Sequence, residues 1–97
     1  MYDEAIECYN HALTVDPTRD DAWYNKGLAL AHTTKYDDAI VCFNETIRLK
    51  PDYVDAWYSK GITFDKLGKY EDAIKSFEEA IRIKPDFAQA WNNKGTI

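Results

Sequence analysis

Proline and glycine are scarce in this sequence, with three Pro and four Gly among 97 residues. So small a share excludes collagen-like chains and disordered chains rich in these two residues. Cysteine is also rare, and no apolar run approaches the ~18 residues that a membrane-spanning helix needs. The N-terminus lacks the basic and then apolar regions of a signal peptide. The sequence therefore predicts a cytoplasmic protein with reduced thiols and no membrane partner.

Positive charge is in short supply as well. Lys and Arg number 12 against 17 Asp and Glu, so the net charge is −5. A protein that binds phosphate backbones gains affinity when Lys and Arg displace condensed counterions, and an acidic chain has no such surplus. We therefore expect no nucleic-acid partner, and instead a protein or peptide partner that is basic or apolar.

The sequence does contain a repeat with a period of 34 residues. Residues 20–53 and 54–87 are identical at 18 of 34 positions. The side chains that recur along the whole chain are Trp23, Trp57 and Trp91; Pro17, Pro51 and Pro85; Tyr2, Tyr36 and Tyr70; Ala5, Ala39 and Ala73; and Gly27, Gly61 and Gly95. A period in this range indicates stacked units, each of which completes its apolar core against the next.

Each unit is predicted to be a pair of α-helices. The helical period places Ala39, Phe43 and Ile47 on one face of a second helix over 37–50, and the same stripe recurs over 71–84. First helices are predicted over 20–33 and 54–67, after a proline turn and a spacing that resembles a capping box. A glycine inside a helix costs about 1 kcal/mol relative to alanine. We therefore expect Gly27 to allow a close approach of Ala39.

These residues resemble the tetratricopeptide repeat, whose pattern is W-x2-L-G-x2-Y, then A-x3-F, then P. The matching residues are Trp23, Gly27, Leu30, Ala39, Phe43 and Pro51, and then Trp57, Gly61, Phe64, Ala73, Phe77 and Pro85. In place of the leucine of the pattern stand Lys26, Lys60 and Lys94, whose stems we expect to pack while the ammonium groups reach solvent. The helix–helix turn has Thr34 in one unit and Gly68 in the other. The resemblance implies an all-α fold, a right-handed α-α superhelix of tandem antiparallel helix pairs.

The same resemblance implies a concave groove, lined by the first helices, that binds a peptide or a partner protein. The expected groove residues are Asp21, Tyr24, Asn25, Leu28, Ala31, Asp55, Tyr58, Ser59, Ile62, Asp65 and Asn92, with Gln89 and Asn93 beside them. Tyrosine and asparagine provide contact area and adaptable hydrogen bonds. Some family members clamp the C-terminal carboxylate of chaperones with Lys, Arg and Asn. Asp21 and Asp55 would repel such a carboxylate, so we expect no chaperone carboxylate clamp here.

The period divides the chain into a truncated unit at 1–19, full units at 20–53 and 54–87, and a truncated unit at 88–97, all in one continuous solenoid. We interpret this as a fragment of a longer array. Because each outer helix lacks its hairpin partner, self-association into a homo-oligomer is an alternative function. The residues expected at these ends are Tyr2, Ile6, Tyr9, Leu13 and Trp91. A structural spacer and a regulatory appendage of a larger enzyme are further alternatives.

No group of residues in the sequence indicates catalysis or metal binding. Cys8 and Cys42 lack a second ligand at the short spacing of zinc sites, and His11 and His32 do not supply one. Equivalent positions on stacked helices lie about 10 Å apart, beyond the ~7 Å between α-carbons that a disulfide tolerates. Nucleophile motifs and glycine-rich phosphate loops are also missing. The sequence predicts a protein that is not an enzyme and binds no metal or cofactor.

Overall fold

The computed structural model describes residues 2–97, which form six α-helices and no β-strand. The helices are α1 (Tyr2–Val15), α2 (Asp20–His32), α3 (Tyr36–Leu49), α4 (Val54–Lys66), α5 (Tyr70–Ile83) and α6 (Ala88–Gly95). The four helices predicted within the full units are confirmed to within one residue at each end. The helices α2, α4 and α6 are first helices, and α1, α3 and α5 are second helices.

The second helices are amphipathic and supply the most deeply buried side chains. Ala39 and Phe43 on α3, like Ala73 and Phe77 on α5, have no solvent exposure. Acidic residues occupy the first turn of both helices, where they compensate the positive end of the helix dipole. Each helix ends shortly before a proline, which cannot continue a helical hydrogen-bond ladder.

Each helix packs against the next one along the chain, and α2 also contacts α4. The result is an elongated stack of helix pairs with dimensions of 38 × 24 × 18 Å. One apolar cluster surrounds Phe43 and receives Ile6 from α1, and a second surrounds Phe77 and receives Ala90 from α6. Each cluster thus draws on a neighbouring unit, and the all-α tetratricopeptide-type solenoid is confirmed.

The atoms nearest to the recurring glycines Gly27 and Gly61 belong to a phenylalanine ring and not to the predicted alanine. A β-carbon built on Gly27 would lie 2.6 Å from the Cε1 atom of Phe43, and one on Gly61 would lie 2.6 Å from the same atom of Phe77. The prediction that Ala39 is the residue closest to Gly27 was therefore wrong, because that residue is Phe43. Because these rings are fully buried, they leave no space for a side chain on the facing helix.

The turn inside each helix pair requires a left-handed residue. Gly68 has φ of 76°, and Thr34 in the equivalent position has φ of 64°. A β-branched residue is strained in this region, whereas glycine is not. The turns of the two helix pairs therefore have the same geometry, and in the first pair Thr34 adopts it with backbone strain.

The predicted capping boxes do not form. The residues before α2, α4 and α6 are Arg19, Tyr53 and Phe87, and none of the three makes a side-chain cap. Before α2, the Asp16 carboxylate instead accepts hydrogen bonds from the backbone N–H of Thr18 at 3.0 Å and from its hydroxyl at 2.6 Å. The polar side chains before α2 therefore stabilise the proline turn and not the first helical N–H groups.

Each recurring tryptophan is tied to the recurring proline six residues earlier. The indole Nε1 of Trp23 donates to the carbonyl of Pro17 at 2.9 Å, and Trp57 donates to Pro51 at 3.0 Å. Trp91 makes the same bond to Pro85 at 2.9 Å, although its ring is 51% exposed. Because the bond fastens the turn between units to the helix that follows, it explains why both residues recur at one spacing.

Candidate functional site

All of the expected groove residues lie on the first helices α2, α4 and α6. The contact between α2 and α4 brings two of these helices side by side, although α3 separates them in sequence. We call this surface of the first helices the first-helix face. Its residues fall into three groups, which differ in burial and in hydrogen bonding.

Two of the tyrosines expected in the groove form hydrogen bonds between successive units. The Tyr24 hydroxyl lies 3.2 Å from Oγ of Ser59, and Nδ2 of Asn93 donates to the Tyr58 hydroxyl at 2.8 Å. The Tyr24 ring packs against Phe43 with centroids 5.9 Å apart, and burial raises the pKa of its phenol. Both tyrosines are therefore part of the wall that supports the first-helix face.

Each of these tyrosines also packs against an aromatic ring from a turn between units. The ring centroid of Tyr53 lies 5.1 Å from that of Tyr24, and the centroid of Phe87 lies 4.9 Å from that of Tyr58. Each pair joins a first helix to the turn that precedes the next first helix. The aromatic residues thus recur along the stack as a contact between each first helix and the turn that ends its own unit.

A pocket of about 330 Å³ opens between α2 and α4 on the first-helix face. Five expected groove residues line it, namely Leu28, Ala31, Tyr58, Ser59 and Ile62. The pocket also has His32, Phe43, Thr63 and Lys66 in its wall, and the sequence analysis did not place these in the groove. His32 and Lys66 could have been found, since each lies one helical turn after an aliphatic pocket residue (Leu28 and Ile62).

The acidic residues of the face gather near the start of the first helices. Burial, followed by the Tyr24 ring and the charges of Asp20, Asp55 and Asp21, raises the pKa of the Tyr53 phenol. Asp21 accepts a hydrogen bond from Arg19 at 3.0 Å, which lowers the pKa of its carboxyl group. This part of the face therefore carries a negative potential that Arg19 offsets only in part.

The remaining residues expected in the groove make few hydrogen bonds. Asn25, Asp65 and Asn93 are half-buried, whereas Gln89 and Asn92 are exposed. Of these five side chains, only that of Asn93 takes part in a hydrogen bond to another side chain among residues 2–97. The structure thus places the expected groove residues on one series of helices, but brings only some of them into the pocket.

The lysines that replace the leucine of the repeat pattern lie over tryptophan rings. Nζ of Lys26, Lys60 and Lys94 lies 5.4, 5.0 and 5.6 Å from the centroid of the tryptophan three residues earlier. The expected packed stem is accompanied by a cation–π contact, which the sequence reasoning missed. Burial lowers the pKa of the Lys60 ammonium. The ring of Phe64 also lies 5.8 Å from this ammonium.

The residues expected at the two ends of the stack differ in their exposure to solvent. Trp91 is 51% exposed and Tyr2 is 42% exposed, whereas Leu13 is only 7% exposed. Leu13, one of the expected end residues, is thus buried by the chain itself and cannot contact a second molecule in this conformation. Ile6 and Tyr9 are half-buried. A β-carbon on Gly95 would meet no atom within 4 Å, unlike one on Gly27 or Gly61.

Two observations bear on metals and membranes. Among residues 2–97, no three or more His, Cys, Asp and Glu side chains come together in a way that could hold a metal ion. Over the same part of the chain, every helix is too short or too polar to cross a bilayer. Cys8 is a free, exposed thiol, and Cys42 is free and buried.

Comparison with protein families gave matches over most of the chain. A family model described as "Tetratricopeptide repeat" matches residues 20–53 and again 54–87, and a second described as "TPR repeat" matches residues 1–33. The comparison with curated proteins gave no match.

Several solved structures are similar over nearly the whole chain. "Crystal structure of MamA" has a TM-score of 0.96 and 32% identity, and covers 98% of this chain and 56% of its own. "First TPR of Spaghetti (RPAP3) bound to HSP90 peptide SRMEEVD" has a TM-score of 0.95 and 28% identity, and covers 98% of this chain and 75% of its own. "Crystal structure of YrrB: a TPR protein with an unusual peptide-binding site" has a TM-score of 0.92 and 26% identity, and covers 97% of this chain and 48% of its own. This chain therefore spans about half the length of the MamA and YrrB chains.

Proposed function

This chain belongs to the tetratricopeptide repeat family, and we propose that it is a protein-interaction scaffold that holds a peptide segment of its partner against the first-helix face. The observation that carries the proposal is the pocket between α2 and α4, where side chains from two successive units surround one cavity of about 330 Å³. Concave, largely apolar cavities with a few polar groups are where proteins bind ligands. The proposed groove comprises the residues expected from the sequence together with His32 and Lys66.

Two similar structures support a peptide as the partner. The Spaghetti repeat domain, 28% identical to this chain, is described as bound to the HSP90 peptide SRMEEVD. YrrB, 26% identical, is described as a protein with an unusual peptide-binding site. Since these folds superpose closely on this chain, a peptide ligand requires no rearrangement of the helices. Binding, without catalysis, is the activity we propose.

The charge of the first-helix face favours a partner that is basic or apolar. Burial raises the pKa of the Tyr53 phenol, and the nearby charges of Asp55 and Asp21 raise it further. A peptide such as SRMEEVD brings three acidic side chains and a terminal carboxylate toward this negative region, and like charges repel. We propose that this chain has no chaperone carboxylate clamp, and that it discriminates against acidic peptides.

The test is a calorimetric titration of the chain with two peptides that differ only in charge. SRMEEVD is the acidic probe, and an amidated SRMKKVK is its basic counterpart. We expect the basic peptide to bind more tightly, with an affinity that falls as salt is raised, because salt screens the attraction. Tighter binding of SRMEEVD would refute the exclusion of a carboxylate clamp. Failure of both peptides, and of an array of unrelated basic and apolar peptides, would refute the scaffold proposal.

A second candidate function is self-association through the end helices. It is favoured by the open space beside Gly95 and by the exposed Trp91, because Phe43 and Phe77 fill the equivalent space beside Gly27 and Gly61. Tyr9 on α1 lies one period before Phe43 in sequence. The α1 helix of a second copy therefore offers an aromatic ring of the kind that this space would accept.

Light scattering over a concentration series tests self-association. We expect the mass to rise with concentration, and the modification of Cys8 by a thiol reagent to slow in parallel. Buried Cys42 is the internal control, because its reactivity should be low at every concentration. A mass that stays monomeric at the highest concentration, with constant Cys8 reactivity, would exclude this candidate.

Other predictions concern the role of this protein in the cell, its location and the division of its chain into units. A spacer role, a regulatory role beside an enzyme, a cytoplasmic location and the division at 1–19, 20–53, 54–87 and 88–97 all stay predictions. Purification of the endogenous protein with its partners addresses the first two. Cell fractionation addresses the third.

A further inference from the structure

Aliphatic and aromatic side chains make up most of the pocket between α2 and α4, and the polar residues His32 and Lys66 are the last residues of these two helices. Leu28, Ala31 and Ile62 contribute aliphatic side chains, and the Phe43 ring contributes an aromatic surface. A volume of about 330 Å³ is near the small end of the ~300–1,000 Å³ of ligand pockets. It suits one side chain with a little of its backbone.

The three hydroxyl groups in the wall are already engaged, and that of Tyr58 accepts a hydrogen bond from Asn93 at 2.8 Å. The Thr63 hydroxyl donates to the backbone carbonyl of Ser59 at 2.8 Å, and Oγ of Ser59 lies 3.2 Å from the Tyr24 hydroxyl. A polar side chain that entered the pocket would lose its hydrogen bonds to water without gaining equivalent ones, which is unfavourable. The pocket therefore selects an aliphatic side chain.

Charged residues of opposite sign lie on α4 on either side of Ser59 and Ile62, and of the two only Lys66 lines the pocket. Asp55 lies one turn before Ser59 on α4, and Lys66 lies one turn after Ile62. Eleven residues of helix separate these charges by about 16 Å, which exceeds the ~8 Å Debye length at physiological salt. Within residues 2–97, no cation lies at ion-pair distance from Asp55. A cationic ligand group can therefore bind at the Asp55 end without strong repulsion from Lys66.

We propose that this pocket anchors one branched aliphatic side chain of an extended peptide, and that Asp55 and Asp21 attract basic side chains next to that anchor. The inference rests on the proposed function and deepens it, because it names the side chain that the pocket accepts. Asp21 contributes less than Asp55, since its carboxylate already faces Arg19 at 3.0 Å.

Four fluorescein-labelled peptides on one Gly/Ser backbone separate the two contributions. GKKSLSG carries the basic pair and the anchor, GKKSGSG lacks the anchor, GSSSLSG lacks the basic pair, and GEESLSG reverses the charge. We expect GKKSLSG to bind best and the loss of leucine to weaken binding about tenfold or more. We expect charge reversal to weaken binding at low salt and to matter less at high salt.

Variants of the chain test whether the leucine of the peptide binds in the pocket and whether Asp55 attracts its basic side chains. Ala31→Leu fills the cavity and should weaken GKKSLSG about tenfold while leaving GKKSGSG unchanged. Val41→Leu is its control, because Val41 is 57% exposed on α3, away from the pocket. Asp55→Asn should reduce the advantage of the basic peptides. Asp37→Asn in the first turn of α3 is the matched control, because it removes an equivalent charge from a helix start.

The methyl resonances of Leu28 and Ile62 provide a direct readout of the anchor, and thermal unfolding verifies that each variant is folded. Shifts of these methyl groups on addition of GKKSLSG, but not of GKKSGSG, would support the inference. A peptide affinity that changes neither when the leucine is removed from the peptide nor when Ala31→Leu is introduced would overturn the inference and leave the scaffold proposal intact. Failure of all four peptides to bind at millimolar concentration would count against both.

Discussion

The hydroxyl of Tyr24 lies 3.2 Å from Oγ of Ser59, one repeat plus one residue further along the chain. The same relationship joins Tyr58 to Asn93. A tyrosine on the first helix of one unit is thereby held by the first helix of the next unit. The tyrosines that the sequence suggested as ligand contacts thus contribute to the stability of the stack, and substitutions there affect folding as well as binding.

We expect Tyr24→Phe to lower the free energy of unfolding by about 0.5–1.5 kcal/mol, the net value of one hydrogen bond. Tyr24→Ala should cost several-fold more, because it also removes the ring from Phe43 and Tyr53. Urea unfolding measures both, and Tyr70→Phe is the control, because Tyr70 is 54% exposed. A double-mutant cycle with Ser59→Ala should show coupling between the two hydroxyl groups. Additive effects would mean that the hydrogen bond does not contribute.

Gly61→Ala should destabilise the protein by about 1–3 kcal/mol, although alanine is the better helix former. The new β-carbon would lie 2.6 Å from the ring of Phe77, which is fully buried and cannot move into solvent. Gly95→Ala is the matched control, because no atom lies within 4 Å of its β-carbon position, and it should be neutral or slightly stabilising. Equal effects of the two substitutions on the melting temperature would contradict the proposed steric role of Phe77.

Thr34→Gly should stabilise the protein by about 1 kcal/mol. Thr34 has φ of 64°, in the left-handed region that disfavours a β-branched side chain by about 1–2 kcal/mol, and glycine removes this strain at some cost in chain entropy. The reciprocal change, Gly68→Thr, should destabilise by a similar amount, because Gly68 has φ of 76°. Chemical denaturation of both variants checks the pair. Effects of the same sign would show that the turns are not equivalent.

Lys60→Met should raise stability at neutral pH, because burial disfavours the ammonium and lowers its pKa from the usual 10.5. The charged form is present in both folded and unfolded states below the folded pKa, so the burial cost is complete there. As pH rises from the folded toward the unfolded pKa, the unfolded state binds more protons, and this contribution to stability increases.

Tyr24 and Tyr53 oppose that trend, since their raised pKa values make stability fall as pH rises past 10. The informative quantity is therefore the difference in unfolding free energy between wild type and Lys60→Met at pH 7 and near pH 10. We expect the advantage of the methionine to shrink at the higher pH. An advantage that is constant with pH, or a loss of stability at pH 7, would show that the cation–π contact with Trp57 outweighs burial.

The repeat pattern was sufficient to predict the helices. Apolar spacing and the proline turns define α2 to α5, because both signals arise from residues close together in the sequence. The buried positions of Phe43 and Phe77 followed from the same stripe. The partner of Gly27 was wrong, because a shared face does not tell which of two residues, Ala39 or Phe43, reaches across to the neighbouring helix.

What the sequence by itself determined is the succession of helix pairs and the identity of their core, since each depends on local periodicity and on a pattern that every unit repeats. Only the tertiary structure decided which groove residues are exposed and which are held by the next unit. Tyr24 meets Ser59, and Leu28 shares a pocket with Ile62 and Lys66, across the boundary between units. Such contacts depend on the angle and offset at which one helix pair packs on the next, and no segment of the chain encodes that geometry alone.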